Sequence, residues 1–142
     1  EIASMADKVQ FEVVTPTQLL RNEEADMVVV PGADGDFGVL PNHAPVLSSV
    51  RPGTVDIHED GKVRDRLFVR GGFAEVTGER CVLLAEEAVP VSELDSAEAE
   101  TALSEANDRL GNAEADSVEH KNALTDVRVA EAMVRAAGMA SD

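Results

Sequence analysis

Residues 80–106 read RCVLLAEEAVPVSELDSAEAETALSEA, and within them the spacing of the apolar residues changes. Up to Pro90 the chain consists of short apolar stretches cut by turns. Beyond it, alanine returns every three or four residues. A period of two marks a strand with one face buried, and a period near 3.6 marks a helix with one apolar face. The junction therefore divides the chain into a β half and an α half.

In the β half, KVQFEV places Val9, Phe11 and Val13 on one face before Pro16 breaks the run. Further stretches follow at 27–30 (MVVV), 37–40 (FGVL), 46–50 (VLSSV) and 54–58 (TVDIH). The series continues at 63–70 (VRDRLFVR), 73–77 (FAEVT) and 80–89 (RCVLLAEEAV). Each ends at Gly, Pro, Asn or Asp, and Asp60-Gly61 is a hairpin signal because its turn needs positive φ. Short strands at close, regular spacing predict a sandwich or barrel.

In the α half no proline occurs between 95 and 137. One stripe runs through Ala99, Ala102/Leu103, Ala106, Leu110 and Ala113. A second runs through Ala123/Leu124, Val127, Ala130/Glu131, Val134 and Ala137. Asp95-x-x-Glu98 and Asp116-x-x-Glu119 resemble capping boxes, and Gly111 and Gly138 stand where helices stop. The spacing predicts helices over 95–110 and 117–137, joined as an antiparallel hairpin, with Glu105–Arg109 and Glu131–Arg135 pairs at i,i+4. An alanine seam buries little apolar area, so this half is expected to be the more mobile one.

The 142 residues carry 12 basic and 28 acidic side chains, a net charge of −16, which repels nucleic acid and anionic lipid alike. No apolar run approaches the roughly 18–20 residues that span a bilayer. With four Phe and neither Trp nor Tyr, stacking platforms for sugars or bases are hard to build. Cys81 stands alone in an apolar run, so it is expected to be a buried strand residue. No signal or transit peptide is visible. The residues EIAS (1–4) are expected to be a remnant ahead of a natural start at Met5.

Catalytic and metal sites find no support. His43, His58 and His120 lack metal-ligand spacing, and no nucleophile elbow is present. Asp34-Gly35-Asp36 is similar to the opening of a calcium loop, yet the later acidic positions are missing. Gly32, Gly35 and Gly38 lack the strand-to-helix context of a dinucleotide cradle. These absences weigh against an unrelated enzyme or ligand-binding module. No catalytic residue, metal or cofactor is expected.

Three ordered segments carry a resemblance: GDFGVLPNHAPVLSSVRPG (35–53), FVRGGFAEV (68–76) and ELDSAEA (93–99). They resemble successive signatures of the epsilon subunit of bacterial F-type ATP synthases, whose mitochondrial counterpart is delta. The resemblance covers residues 5–138. It implies a flattened ten-stranded β-sandwich over 5–91 followed by a C-terminal helical hairpin over 92–142. It implies a non-catalytic rotor part of the central stalk, which couples c-ring rotation to gamma and to ATP synthesis or hydrolysis, themselves coupled to proton flow. The implied place is the cytoplasmic face of the bacterial inner membrane, peripheral and through the complex.

Carried over by position, Asp34, Gly35 and Asp36 face the partly basic polar loops of the c-ring. His43, Ala44, Pro45, Val46 and Leu47 face gamma. An alternative within the family is regulation, in which the C-terminal helices reach alpha and beta and inhibit hydrolysis, gated by ATP held at L-D-x-x-R-A. Here the motif reads Leu94-Asp95-Ser96-Ala97-Glu98-Ala99, with Glu98 in the place of the arginine. An anion there reverses the sign of a phosphate contact. Residues 95–142 also carry 4 basic and 11 acidic side chains, 4 − 11 = −7, a poor match for an acidic partner loop. Weak or absent nucleotide binding and weak inhibition are therefore expected.

Overall fold

The computed structural model describes residues 7–139, so the expected start at Met5 lies outside the described residues. The chain divides at Pro90/Val91 into two compact units, one of strands and one of helices.

The first unit is one curled ten-stranded sheet forming a sandwich. Its strands are β1 (Val9–Val14), β2 (Leu19–Ala25), β3 (Met27–Gly32), β4 (Gly35–Val39) and β5 (Val46–Val50). Then come β6 (Gly53–Glu59), β7 (Lys62–Val69), β8 (Gly72–Thr77), β9 (Arg80–Ala85) and β10 (Ala88–Pro90). The order across the sheet is β10-β7-β6-β3-β5-β8-β9-β1-β2, with β4 paired to β3. Pairing is antiparallel except between β1 and β9. Only Glu86 and Glu87 separate β9 from β10, yet these strands lie far apart in that order. So short a link is possible only because the sheet folds over on itself.

The enclosed core is built from the period-two residues. Val9, Phe11 and Val13 are fully buried, as are Val28, Val30, Val55, Ile57, Val76 and Leu83. The residues between Val55 and Ile57, and after Ile57, are half-buried Asp56 and His58, so His58 lies on the outer face as its phase predicts. Cys81 is buried in β9, and exclusion of water pushes its thiol up to about 12.

Two strands escape the sequence pattern. The run 80–89 splits into β9 and the short β10, which leaves to pair with β7. β2 (LLRNEEA) has no apolar face; most of it is exposed or half-buried. It is held by its ladder to β1 and by ion pairs to β7, whose Arg64 also reaches Glu59 of β6. Arg21 pairs with Asp65 at 2.8 Å, and Arg64 pairs with Glu59 at 2.8 Å and also with Glu23. A strand secured by charges shows no hydrophobic period.

The second unit begins with a 3₁₀ turn at Val91–Glu93. Helices α1 (Ser96–Asn112) and α2 (Val118–Met139) then form the expected hairpin. Asp95 caps α1, its Oδ1 accepting the Glu98 N–H at 3.1 Å. The cap of α2 is not Asp116. Asp116 takes a positive φ of 65° and leads the chain in, while Ser117 Oγ accepts the His120 N–H at 3.0 Å. A short acidic side chain tolerates that left-handed geometry, so the turn residue and the cap occupy adjacent positions. Gly111 and Gly138 lie inside the last turns rather than beyond them. Arg109 reaches Asp126 of α2 at 2.9 Å, tying the helices together. The seam uses Ala99 and Ala106 with Ala123, Val127, Ala130 and Ala137. α2 also buries Val129, Ala132 and Ala136, which the single predicted stripe omits.

Candidate interaction surfaces

The acidic stretch 34–36 forms the tip of the β3–β4 hairpin. Gly32 and Gly35 face each other in the ladder, leaving Ala33-Asp34 as a two-residue loop. Gly35 has φ 135°, open to glycine but strained for other residues, and a Cβ at Gly32 would lie 2.7 Å from the Gly35 carbonyl oxygen. These two glycines set the turn. Asp34 and Asp36 are both exposed. Asp36 is tied to Arg51 of the β5–β6 turn at 2.6 Å, so Asp34 presents the unshared negative charge of the tip.

Pro41-Asn42 turns the chain between β4 and β5. Asn42 has φ 66°, and the His43 N–H donates to the Leu40 carbonyl at 3.1 Å, as in a type II turn. The His43 ring Nδ1 lies 2.6 Å from the Ala44 carbonyl oxygen. A carbonyl only accepts, so Nδ1 is the donor here, and in the neutral ring Nε2 is left to accept from a partner. Ala44, Pro45, Val46 and Leu47 follow, all exposed.

Leu47 begins an apolar wall. It is 71% exposed, and Phe73 and Leu84 are 52% and 46% exposed. In register, Ser49 lies opposite Phe73 and Phe73 opposite Leu84, while Leu47 lies opposite Glu75 and Glu75 opposite Val82. All these residues share the outer face of β5-β8-β9. Beside them a cleft of about 380 Å³ is lined by Val14, Pro16, Gly72, Phe73, Leu84 and Glu86. The family resemblance pointed to Leu47 but not to Phe73 or Leu84. The signal was phase: both are large apolar residues alternating with buried Ala74, Val76, Cys81 and Leu83, and so fall on the side where polar residues are expected.

The nucleotide-like segment starts α1. Leu94 closes the 3₁₀ turn through its N–H to the Val91 carbonyl at 3.1 Å. Asp95 spends its carboxylate on the cap, Ala99 is buried in the helix pair, and Glu98 is exposed. His43, His58 and His120 sit on different elements. Among the described residues no group of three or more His, Cys, Asp or Glu side chains is placed to hold a metal. No helix among them is long and apolar enough to cross a membrane.

A curled β-sandwich with an exposed apolar wall and an acidic tip, followed by a helix pair, has the features of an interaction module. The family model described as "ATP synthase, Delta/Epsilon chain, beta-sandwich domain" matches residues 8–91, and the chain belongs to that family. It is 52% identical over 133 residues to the ATP synthase epsilon chain of Paramagnetospirillum magneticum, covering 93% of this chain and 98% of that one. It is 47% identical over 132 residues to the ATP synthase epsilon chain of Rhodospirillum rubrum, with coverage of 93% and 98%. The fold is similar to a chain in the cryo-EM structure of the Euglena gracilis mitochondrial ATP synthase, with TM-score 0.80 at 22% identity, covering 92% of this chain and 81% of that one. A chain of the Tetrahymena thermophila mitochondrial ATP synthase central stalk and c-ring gives TM-score 0.64 at 16% identity, with coverage of 95% and 97%.

Proposed function

We propose that this chain is the non-catalytic rotor subunit that joins gamma to the c-ring in the central stalk of a proton-translocating F-type ATP synthase. The observation that carries this reading is the outer wall of Leu47, Phe73 and Leu84. A chain of net charge −16 keeps three large apolar side chains in water on one sheet face. Such a patch marks a protein interface. Gamma is the partner assigned to it, with His43 Nε2 at its edge as a hydrogen-bond acceptor. The tip at Asp34, Gly35 and Asp36 is assigned to the polar loops of the ring, where carboxylates meet basic side chains. The complex then holds the chain at the cytoplasmic face of the bacterial inner membrane. Cysteines introduced at Asp34 and at Leu47 test the assignment by cross-linking in the assembled enzyme: the two positions should capture different subunits.

Regulation by nucleotide is assigned little part. Glu98 puts an exposed carboxylate where a phosphate-binding cation would be needed, and the Asp95 carboxylate is already used by the helix. Calorimetric titration of the full chain with ATP is expected to give no saturable isotherm into the millimolar range. A clean isotherm at or below that range supports the sensor reading instead.

A further inference from the structure

We propose that Arg51 is the positioning residue that fastens the β3–β4 hairpin tip to the end of β5, so that the acidic tip and the apolar wall move as one body. The inference rests on the assignment of those two surfaces and gives them a mechanical connection.

The tip has few anchors of its own. From Pro31 to Gly35 it offers a proline without an N–H, two glycines without side chains, and exposed Ala33 and Asp34. Its pairing with β5 is confined to Gly32 opposite Val50. Two backbone bonds flank that pair: Ala33 N–H to the Ser49 carbonyl at 2.8 Å, and Arg51 N–H to the Pro31 carbonyl at 2.9 Å. β5 continues from this pair to Leu47 of the wall.

Arg51 widens this narrow joint. One guanidinium nitrogen donates to the Gly32 carbonyl, and the other pairs with Asp36 at 2.6 Å, across the hairpin from Pro31. The fork thus grips both strands of the hairpin at once, which a planar, five-donor cation does and a single ammonium does not. The next two residues prepare the grip. Pro52 follows at the turn, and Gly53 leaves room for Pro31, whose Cβ would lie 3.1 Å from a Cβ there. The side chains of Arg51 and Asp36 are 44% and 60% exposed, so the pair stabilises the whole fold little. Its value is local: a load on Asp34 reaches β5 through the guanidinium as well as through two backbone bonds.

The test compares Arg51→Gln and Arg51→Lys in the full chain and in the assembled enzyme. In Arg51→Gln, hydrogen exchange at amides 33–37 should rise roughly three- to tenfold, with the melting temperature, exchange in β8 and β9, and gamma capture nearly unchanged. Arg51→Lys, which keeps the charge but loses the fork, should fall between the two. In the assembled enzyme, ring capture and protons pumped per ATP hydrolysed should drop in the same order. Unchanged exchange at 33–37 overturns the proposal, as does a rise that appears only with general loss of stability. Local loosening without a drop in ring capture or coupling also overturns it. Asp34→Lys, which reverses the tip charge and leaves Arg51 alone, separates the two claims. If Asp34→Lys impairs ring capture and Arg51→Gln does not, only the role of Arg51 fails. If neither impairs it, the assignment of the tip to the ring fails.

Discussion

Gly72→Ala should cost the sandwich more than about 3 kcal/mol. Gly72 opens β8 with φ 140°, a conformation that costs an L-residue about 1–3 kcal/mol. The larger obstacle is space. A Cβ there would lie 1.9 Å from the Leu84 carbonyl oxygen and 3.0 Å from the Ala85 Cα, both backbone atoms. Neither can retreat, because Leu84 is paired on one side with Phe73 and on the other with Val14. Relief would require opening the β8–β9 or the β9–β1 ladder. At about 4–8 °C per kcal/mol for a unit of this size, the melting temperature should fall by at least about 12 °C. Gly61→Ala is the control: Gly61 also has positive φ, 77°, but faces open space, so it should cost only about 1 kcal/mol. Thermal unfolding followed by circular dichroism reads both. A Gly72→Ala protein melting within a few degrees of the parent would contradict this account of the packing at Gly72.

The second large effect concerns binding rather than folding. Leu47→Glu combined with Phe73→Glu should leave the melting temperature within a few degrees, because both side chains already stand mostly in water. Affinity for gamma should fall at least a hundredfold. Burying a leucine or phenylalanine contributes about 1.5–3 kcal/mol, and each carboxylate put in its place must be desolvated without a partner. Even the smaller of these figures, counted for two residues, gives about 3 kcal/mol, or two orders of magnitude. Calorimetry or surface capture with purified gamma measures the loss. An affinity within tenfold of the parent would place the gamma contact elsewhere on the chain.

How much of this could be read beforehand depends on what each element uses to stay folded. β1, β6 and β9 are held by alternating apolar residues, so Phe11, Ile57 and Leu83 announce themselves. β2 is held by Arg21, Arg64 and their carboxylates, contacts between residues some forty positions apart that leave no local trace. The turn at 34–36 was legible because turns demand glycine, and its role as a surface only through the resemblance, whereas Asp36's partner Arg51 was not legible, because a side-chain fork has no spacing rule. His43 was legible only through the resemblance to the epsilon family. Phe73 and Leu84 went unread, although each stands out of phase on an otherwise regular strand.

The measurement that bears most directly on the rotor assignment is cross-linking from single introduced cysteines in the assembled enzyme. Cys81 does not compete, since its thiol is buried and pushed up to about 12. Asp34→Cys should link this chain to the c-ring, and Leu47→Cys should link it to gamma. Capture of the same subunit from both positions, or of neither gamma nor the ring, would contradict the assignment.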